Sequence, residues 1–555
     1  MKHAESKLKF VFIAGGVMSS VGKGVAAASL CKLLQAHGRK VTASKIDPYV
    51  NVDAGTMNPT EHGEVFVLDD GTECDQDMGN YERFLGVRLS KKNYMTTGSI
   101  YLSVITQERN LAYKGQCVNV VPDIPLAVLE RIREGARESG ADTVVVEIGG
   151  TVGDYQNVLF LEAVRILKFT HPEDVVLGLV SLVPGLGTGG NELKTKPTQH
   201  AVKNLNAIGL QPDFLLARAK TPLDDKRKEK LGFMCSLNPK GIISAPNVDS
   251  IYDVPLNLEA EGLTGLILER LGLHPKPKPA LLEWKTFVRR VHTPTKTARI
   301  AIVGKYFDTG SFVLQDSYIS VIEALKHAGA ASRISVQLDW ISSADVEKKG
   351  AAAMLRKYDG IVVPGGFGSR GTEGMIKTIE YARTKQVPYL GLCYGMQMAT
   401  IEFARNVAGL KGATTTEIDK KTKYPVIHIM PEQEQMLRER NYGGTMRLGG
   451  WDCVLEEGSK AHKAYAAQGW LPKRGKATIR ERHRHRYEFN NEYREQLRKA
   501  GLRVSGTSPD GALVEVIELP GHPYFIASQF HPEFLSWPLR PHPLFCGFVQ
   551  AASKK

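Results

Sequence analysis

Short apolar runs alternate with stretches of helical periodicity along almost the whole chain. Runs that are apolar at nearly every position indicate strands covered on both faces, as in parallel sheets. Strands that alternate with helices are typical of α/β domains built from βαβ units. The pattern predicts strands at 9–14, 41–46, 143–148, 175–183, 213–219 and 241–245 in the first half, and at 299–303, 335–340, 360–363, 387–392, 513–517 and 525–529 in the second.

A proline-rich segment separates these two series of strands. Residues 274–279 read His-Pro-Lys-Pro-Lys-Pro, and proline at every second position favours an extended spacer over a helix. A short amphipathic stretch at 281–291 follows it. We therefore predict two α/β domains, each a mainly parallel sheet flanked by helices, at 1–273 and 299–555, joined by a linker with a short helix at 274–298.

Composition narrows the class of protein. The 555 residues are 42% hydrophobic and 24% charged, as in an ordinary globular protein, which excludes fibrous and low-complexity chains. No apolar stretch reaches the roughly 20 residues that cross a bilayer, and the first strand resembles no secretion signal because Gly15 and Gly16 end its apolar run. Seven cysteines without a CxxC pair predict a reduced, cytoplasmic protein. The net charge of +13 permits nucleic acid or small phosphorylated ligands as partners.

A glycine-rich loop at 15–24 joins the first strand to a helix predicted at 25–35. Its glycines let backbone N–H groups approach phosphate oxygens, and Lys23 adds a positive charge. The loop departs from the P-loop pattern because its spacing is one residue longer and Gly24 follows the lysine. The alternative is that this turn serves only for packing. The sequence Gly22-Lys23-Gly24 at the start of a helix favours a phosphate site instead.

Carboxylates and a second cationic loop extend this prediction. Triphosphate chemistry needs a divalent metal held by acids, and Asp75, Asp77 and Glu147 are candidates, the last at the end of a strand. The ends of parallel strands are where α/β sheets bind ligands. The loop at 194–200, with two lysines, suits a second phosphorylated ligand, although such a run is more often solvated.

The second half contains a candidate nucleophile. Cys393 lies between a strand and a helix with glycines two residues to either side, the pattern of a nucleophile elbow at a helix N-terminus. His531 follows another strand and would take the thiol proton, while Glu533 would orient its imidazole. Backbone N–H groups of Tyr394 and of the glycine-rich segment 364–368 would stabilise an oxyanion.

The arginine-rich run at 480–486 has three readings. It resembles a nucleic-acid-binding patch, but only Tyr487 is available there for base stacking. A solvated charged face is the ordinary explanation, and an arginine that grips a substrate carboxylate is the third.

Taken together, eight segments resemble the CTP synthase family: 15–24, 45–53, 62–67, 147–154, 194–199, 391–397, 482–487 and 529–534. The resemblance covers essentially the whole chain. It implies an ATP- and Mg²⁺-dependent amidoligase domain that phosphorylates the uracil O4 of UTP, followed by a class I glutamine amidotransferase domain that supplies ammonia through the interior of the protein.

The resemblance also implies roles for individual residues. It assigns ATP to Ser20, Val21, Gly22, Lys23, Gly24, Val25, Lys45, Asp77 and Val248; Mg²⁺ to Asp77 and Glu147; UTP or the inhibitor CTP to Ser19, Asp154, Tyr155, Gln156, Lys194, Thr195, Lys196, Pro197, Thr198, Gln199 and Lys230; glutamine to Gly366, Tyr394, Gly395, Met396, Gln397, Glu417 and Arg486; and catalysis to Cys393, His531 and Glu533.

The implied partners are UTP, ATP, glutamine, the activator GTP and the inhibitor CTP, in a cytoplasmic homotetramer without nucleic-acid or membrane partners. Three departures from the family pattern bear on regulation. Gln156 replaces an acid near the CTP site, Asp123 replaces a histidine, and 108–113 lacks the expected acidic and glycine residues. We predict weakened or altered CTP inhibition and an altered coupling between the domains, including its dependence on GTP.

Other classes of protein remain open at this point. Another glutamine-dependent amidoligase, such as a cobyrinic acid amide synthase, has the same layout. A P-loop partitioning ATPase or nucleic-acid-binding regulator would fit the basic charge but leaves the Cys393, His531 and Glu533 set unexplained. A degenerate paralogue is the third alternative, although every residue required for catalysis is present.

Overall fold

The chain divides into two units. The computed structural model describes residues 8–187, 192–275, 280–305, 315–438 and 443–554, so residues 276–279 of the proline-rich spacer lie outside the described residues. The first unit comprises Met1–Asp53 and Asp77–Val288, and the second comprises Ala54–Gln76 and Arg289–Lys555. Residues 54–76 therefore pack with the second unit although both ends of this segment continue into the first.

The first unit is built on a seven-stranded sheet in the order β11-β10-β7-β1-β6-β2-β5, with every pair parallel. The helices and strands up to residue 270 are β1 (Lys9–Gly16), α1 (Lys23–Ala36), β2 (Val41–Asp47), α2 (Pro59–His62), β3 (Val65–Val67), β4 (Glu73–Asp75), α3 (Asp77–Leu85), β5 (Tyr94–Thr96), α4 (Thr97–Arg109), α5 (Val120–Ser139), β6 (Thr143–Ile148), α6 (Val158–Thr170), β7 (Val175–Leu182), β8 (Gly185–Leu186), β9 (Glu192–Leu193), α7 (Lys196–Ala207), β10 (Phe214–Ala219), α8 (Asp225–Met234), β11 (Ile242–Pro246), α9 (Val254–Ala260) and α10 (Leu263–Arg270).

All six strands predicted for the first half are present, with bounds within two residues of the prediction. Their continuous apolar runs are buried because helices cover both faces of the sheet. The seventh strand, β5, has only three residues and lacks an apolar run, so the pattern did not reveal it. β1, β2 and β6 are neighbours in the sheet, and their carboxyl ends bring the glycine-rich loop, Lys45 and Glu147 to one edge.

The second unit contains a nine-stranded mixed sheet in the order β13-β12-β14-β15-β23-β22-β21-β18-β19. The remaining elements are α11 (Ala280–His292), which ends in this unit, β12 (Lys296–Gly304), α12 (Ile319–Ser332), β13 (Ile334–Ser342), α13 (Ser343–Lys349), α14 (Ala351–Leu355), β14 (Gly360–Val363), α15 (Thr372–Thr384), β15 (Tyr389–Leu392), α16 (Tyr394–Asn406), β16 (Thr414–Thr415), β17 (Pro425–Ile429), α17 (Pro431–Arg438), β18 (Arg447–Leu455), α18 (Lys460–Ala467), β19 (Thr478–His485), β20 (Tyr487–Phe489), α19 (Arg494–Lys499), β21 (Arg503–Thr507), β22 (Val514–Glu518), β23 (Phe525–Ser528) and α20 (Pro543–Ala552).

The α/β class is confirmed, and the second sheet adds a feature that the pattern missed. Its first five strands are parallel, whereas β22, β21, β18 and β19 continue it in antiparallel order. All four strands contain charged residues, and β21, β18 and β19 also lack an apolar run, which hides these three from a search for buried parallel strands. Within the described residues, no helix is both long and apolar enough to cross a membrane.

Two candidate active sites

Cys393 lies at a sharp turn between β15 and α16. Its φ is +49°, a left-handed conformation that is strained for a residue other than glycine and is found at functional turns. A Cβ on Gly395 would lie 2.1 Å from the Val363 carbonyl oxygen, and a Cβ on Gly391 would lie 2.7 Å from the Tyr389 hydroxyl. Packing therefore requires both glycines, and the turn places Cys393 at the N-terminus of α16.

His531 and Glu533 follow β23, the strand that pairs with β15. His531 Nδ1 lies 2.7 Å from Glu533 Oε1. Burial by itself lowers the pKa of His531, but the charges of Glu533 and Cys393 outweigh it and raise that pKa to about 10. The imidazole is therefore protonated at neutral pH beside the sulfur, an arrangement that favours a thiolate nucleophile.

A cleft open to solvent adjoins the sulfur. The Gly365–Gly366 backbone borders it from the end of β14, and a Cβ on Gly365 would lie only 3.0 Å from His531 Cε1. Glycine at position 365 therefore lets this wall approach the imidazole closely. The lining residues that the sequence singled out are Gly365, Gly366, Cys393, His531 and Glu533.

Two of the predicted glutamine-binding residues meet at Gly368, in the same loop as Gly366. Glu417 Oε1 accepts a hydrogen bond of 2.7 Å from Gly368 N, and the Tyr394 hydroxyl donates one of 2.7 Å to the Gly368 carbonyl. Burial raises the pKa of Glu417. The Lys305 ammonium lies 4.0 Å from the centre of the Tyr394 ring and also donates to the Gly368 carbonyl. The loop is thus held from three sides.

The other predicted glutamine-binding residues lie on α16 and beside β19. Gly395, Met396 and Gln397 form the first turns of α16. Arg486, between β19 and β20, donates a hydrogen bond of 2.8 Å to Gln433 Oε1 on α17. The common role of Arg486 and Glu417 in binding glutamine stays a prediction.

The arginine-rich run is strand β19, and its arginines alternate onto one face. Arg482 is fully buried, which does not fit a solvated patch or a nucleic-acid surface. The face packs on the hairpin of β3 and β4 from segment 54–76. Arg480 Nε lies 3.1 Å from Asp69 Oδ2, Arg482 Nη1 donates to the Val67 carbonyl at 3.1 Å, and Arg484 Nε lies 2.8 Å from Glu73 Oε1.

The same hairpin is linked to His531 through two aromatic rings, a contact that was not predicted from the sequence. Phe66 is fully buried and packs edge to face on Phe534, with ring centres 4.9 Å apart. Phe534 in turn stacks on the His531 imidazole, with centres 5.1 Å apart and planes 14° apart. The period-two alternation of charges at 480–486 is the one signal that could have revealed this packed strand.

In the first unit, the glycine-rich loop turns directly into α1. Gly22 precedes the helix with a φ of +93°, and the Lys23 ammonium donates to the Gly150 carbonyl at 3.0 Å. Burial lowers the pKa of Lys23. A Cβ on Gly24 would lie 1.9 Å from Asp77 Oδ1, so only glycine lets the first turn of α1 approach this acid.

Three acids surround Lys45 at the edge of the sheet. The Lys45 ammonium lies 2.5 Å from Asp77 Oδ2, 2.9 Å from Glu147 Oε1 and 3.6 Å from Asp47 Oδ1. Burial raises the pKa of Glu147 and Asp47, whereas Lys45 overcomes burial at Asp77 and lowers that pKa. Tyr81 donates a short hydrogen bond to Glu147. Lys45 and these three acids therefore form a cluster of charged side chains beside the glycine-rich loop.

The acids fit the predicted Mg²⁺. Asp77 and Glu147 both point at one cation-sized position, now filled by the Lys45 ammonium, and Asp47 Oδ2 is buried without a hydrogen bond among the described residues. No group of three or more metal-type side chains is present within those residues. Two carboxylates suit Mg²⁺, because it keeps several waters and completes its octahedron with substrate phosphates.

A second cleft, open to solvent, lies beside the glycine-rich loop. Its walls are mostly apolar, which suits a flat aromatic base. The lining includes three residues predicted to contact ATP, Gly22, Val25 and Val248, together with Leu216, Arg218 and Asn247, which the sequence did not single out.

The residues predicted to bind UTP or CTP divide into two groups. Thr195 precedes α7, and Lys196 and Pro197 begin it. The Thr198 hydroxyl accepts from Ser181 and donates to the Leu182 carbonyl, so this side chain fastens α7 to β7. Lys194, just before the helix, pairs with Glu192.

The second group begins with Asp154, which accepts hydrogen bonds from the backbone and hydroxyl of Thr151 at 3.1 and 2.6 Å. A Cβ on Gly153 would lie 2.9 Å from Asn204 on α7, so this loop lies beside α7. Tyr155 is 98% exposed and Gln156 is also exposed. Lys230 lies on the surface of α8, and no recorded contact joins it to the others.

Comparison with known proteins covers the entire length. Two family models match, CTP synthase N-terminus over residues 9–273 and glutamine amidotransferase class-I over residues 313–551. A CTP synthase of Caldanaerobacter subterraneus subsp. tengcongensis is 50% identical over 98% of this chain and 98% of its own length. A CTP synthase of Carboxydothermus hydrogenoformans is 52% identical over 98% and 99%. Among solved structures, the glutaminase domain of a Trypanosoma brucei CTPS with bound acivicin is 37% identical, with a TM-score of 0.41, over 46% of this chain and 94% of that domain.

Proposed function

Since the chain belongs to the CTP synthase family and makes CTP from UTP with glutamine as the nitrogen source, we propose that its two units divide this reaction. Residues 1–273 are the amidoligase domain, 274–298 the linker and 299–555 the amidotransferase domain. The hairpin in 54–76 belongs to the first by sequence and packs with the second. The observation that carries the proposal is the strained Cys393 turn beside the 2.7 Å His531–Glu533 pair.

Glutamine hydrolysis begins when the Cys393 thiolate attacks the carboxamide carbon. The backbone N–H groups of Tyr394 and Gly366 stabilise the oxyanion. His531 then donates its proton to the leaving nitrogen, ammonia departs, and a thioester remains on the sulfur. His531 next takes a proton from water, which attacks the thioester and releases glutamate and the thiolate. Glu533 keeps the imidazole oriented throughout.

Glutamine itself is held by the loop and helix around the nucleophile. The proposed contacts are Gly366, Tyr394, Gly395, Met396, Gln397, Glu417 and Arg486. Arg486 would pair with the substrate carboxylate, because a guanidinium matches it with two parallel hydrogen bonds. Glu417 would accept from the substrate ammonium.

The amidoligase domain would bind ATP with its adenine in the apolar cavity that includes Val248 and its phosphates over Ser20–Val25 and Lys45. The γ-phosphoryl group passes to the uracil O4 of UTP, and ammonia then displaces phosphate to give CTP. When bound, Mg²⁺ neutralises phosphate charge, and Asp77 and Glu147 would hold it. Ser19, Asp154–Gln156, Lys194–Gln199 and Lys230 would contact UTP or CTP.

GTP activation, CTP inhibition, a cytoplasmic location and a homotetramer are further parts of the proposal. The first unit exposes large apolar side chains on several elements, which subunit contacts in such an assembly would cover. These exposed side chains are Leu102 and Ile105 on α4, Tyr155 before α6, Phe169 on α6 and Phe233 on α8.

The test is CTP formation from UTP, ATP and Mg²⁺ with either glutamine or ammonium chloride, with and without GTP. We expect both nitrogen sources to work and Cys393→Ala to lose only the glutamine reaction. If ammonium alone supports the unmodified chain, the two domains are uncoupled. If neither source yields CTP, the assignment of UTP as substrate is wrong.

A further inference from the structure

Gln529 lies directly after β23 and contacts the nucleophile, yet the mechanism above gives it no role. It is 1% exposed, and its backbone N–H donates to the Glu515 carbonyl at 2.8 Å. Its side-chain amide nitrogen lies 3.6 Å from Cys393 Sγ, within hydrogen-bond distance for sulfur. A buried amide next to a thiolate stabilises the negative sulfur if its NH₂ group faces Cys393. It destabilises the negative sulfur if its oxygen faces Cys393.

The neighbouring hydrogen bonds determine which end that is. The Tyr487 carbonyl is only an acceptor, so the side-chain nitrogen of Gln397, 2.9 Å away, must donate to it. The same nitrogen lies 3.4 Å from the other end of the Gln529 amide. Because this Gln397 nitrogen is a donor, the end of the Gln529 amide that faces it must be the oxygen. The Gln529 NH₂ group therefore faces Cys393.

A buried pair of histidines holds the same carbonyl from its other side. His485 Nδ1 lies 3.0 Å from the Tyr487 carbonyl and must carry the proton, which leaves His485 Nε2 to accept from His483 Nδ1 at 3.0 Å. Burial, reinforced by the positive charge of Arg447, keeps the pKa of both histidines well below its usual range. Arg447 itself pairs with Glu515, with its Nη2 2.8 Å from Glu515 Oε1.

We propose that Gln529 is a catalytic residue of glutamine hydrolysis, whose side-chain amide donates to Cys393 Sγ and stabilises the thiolate, and that His483 and His485 are positioning residues that fix the acceptor carbonyl on which this orientation depends. The proposal rests on the role of Cys393 proposed above. It extends the Cys393, His531 and Glu533 set by a donor that approaches the sulfur independently of the imidazole.

If the Gln529 amide donates to Cys393, two substitutions of Gln529 should have effects that a loss of packing alone would not produce. Gln529→Met keeps the volume but removes the donor. Gln529→Glu keeps the shape but places a negative oxygen against the sulfur, where it disfavours a second negative charge. A residue that only filled space would tolerate both changes. If Gln529 donates to the thiolate, Gln529→Met should remove this stabilisation and Gln529→Glu should replace it with repulsion.

The experiment measures the rate at which iodoacetamide alkylates Cys393 in the full chain, by mass spectrometry of its peptide, as a function of pH. We expect the pH midpoint of alkylation to rise by about one unit in Gln529→Met and by more in Gln529→Glu, with about tenfold slower alkylation at pH values below the midpoint. Glutaminase kcat should fall in the same order. The proposal is overturned if both variants keep the midpoint of the unmodified chain, or if the Glu variant shifts it less than the Met variant.

Three controls separate this effect from general damage. Thr378→Val removes another buried hydrogen bond in the same unit, to the Gly374 carbonyl, and should leave the midpoint unchanged. Urea unfolding followed by tryptophan fluorescence reports that the second unit of each variant is folded, because four of the five tryptophans lie in that unit. The other charged groups that border the Cys393 cavity, His531, Glu533, Arg484 and Glu64, are unaltered in all of them.

The histidine relay is tested by a matched pair of variants that does not touch Gln529. Asparagine places its amide nitrogen where histidine has Nδ1, so His485→Asn keeps the donor to the Tyr487 carbonyl and His485→Leu removes it. We expect a clear rise in the alkylation midpoint for the Leu variant and a smaller one for the Asn variant. Equal shifts would refute the positioning role. Alkylation requires neither UTP nor ATP, so its outcome is independent of whether the chain aminates UTP.

Discussion

The packing of Phe66 on Phe534, which stacks on His531, gives a quantitative prediction for Phe66→Ala. Phe66 is fully buried, and removal of a buried phenylalanine side chain costs about 3–5 kcal/mol of unfolding free energy. About 0.5–1.5 kcal/mol of this reflects the edge-to-face geometry with Phe534. The remainder is lost burial and the cavity left behind. We therefore expect the second unit to lose about 4 kcal/mol, and Phe66→Leu to lose less.

Tryptophan fluorescence can report this loss for the second unit alone. Trp284 is the one tryptophan of the first unit, whereas Trp340, Trp451, Trp470 and Trp537 belong to the second. In a Trp284→Phe background, urea unfolding followed by fluorescence therefore measures only the second unit. Each variant is compared with that background, which removes the effect of the Trp284 change itself.

Activity gives the second readout. Without Phe66, Phe534 loses the side chain that supports it against His531, and small displacements of a catalytic group cost about ten- to a hundredfold in rate. Leu539→Ala, a truncation at a 43% exposed position of the same unit, should change stability by less than about 1 kcal/mol. If Phe66→Ala also loses less than about 1 kcal/mol, the hairpin does not pack on the second unit in solution and the reasoning is refuted.

Three further predictions concern the phosphate loop, the histidine and the CTP site. Gly24→Ala should abolish CTP formation from either nitrogen source, because its Cβ would meet Asp77 Oδ1 at 1.9 Å; glutaminase activity assayed alone should survive, and its loss would point to misfolding. The pKa of His531 is raised to about 10, so its charged form adds stability that is complete below the unfolded pKa of about 6.5 and is lost as pH rises through about 10. Glutaminase kcat/KM should accordingly stay level above neutral pH and fall near pH 10, and a fall near pH 7 would contradict the shift. Gln156→Glu should strengthen inhibition by CTP in an inhibition curve, and equal inhibition of both chains would show that the exposed Gln156 does not weaken it.

The antiparallel half of the second sheet shows where local pattern fails. Arg482 and Arg484 look like solvated residues in the sequence, but Arg482 is fully buried and donates to Val67, more than 400 positions away. A charged side chain is buried only when a partner compensates it. No periodicity within β19 reveals that the partner lies in the hairpin of β3 and β4.

Some contacts of the candidate site join residues close in sequence, and others join residues far apart. The Cys393 turn is encoded locally, since glycines are needed on both sides of it and a strand and a helix flank it. Glu533 follows His531 by two residues, so their pairing is also local. Gln529 is 136 positions from Cys393, and nothing near either residue signals the contact. Only the pairing of β15 with β23 brings them together.

The two α/β domains, the glycine-rich loop before α1 and the sharp turn at Cys393 follow from the sequence alone. Each of these depends on short-range physics: apolar runs that must be buried, glycines that permit a tight turn, and charges at strand ends. The tertiary structure decided that 54–76 packs with the second unit, that Lys45 lies between Asp77 and Glu147, and that Phe66 supports Phe534. These contacts join residues far apart in the chain, and their free energy depends on a packed environment that local periodicity does not describe.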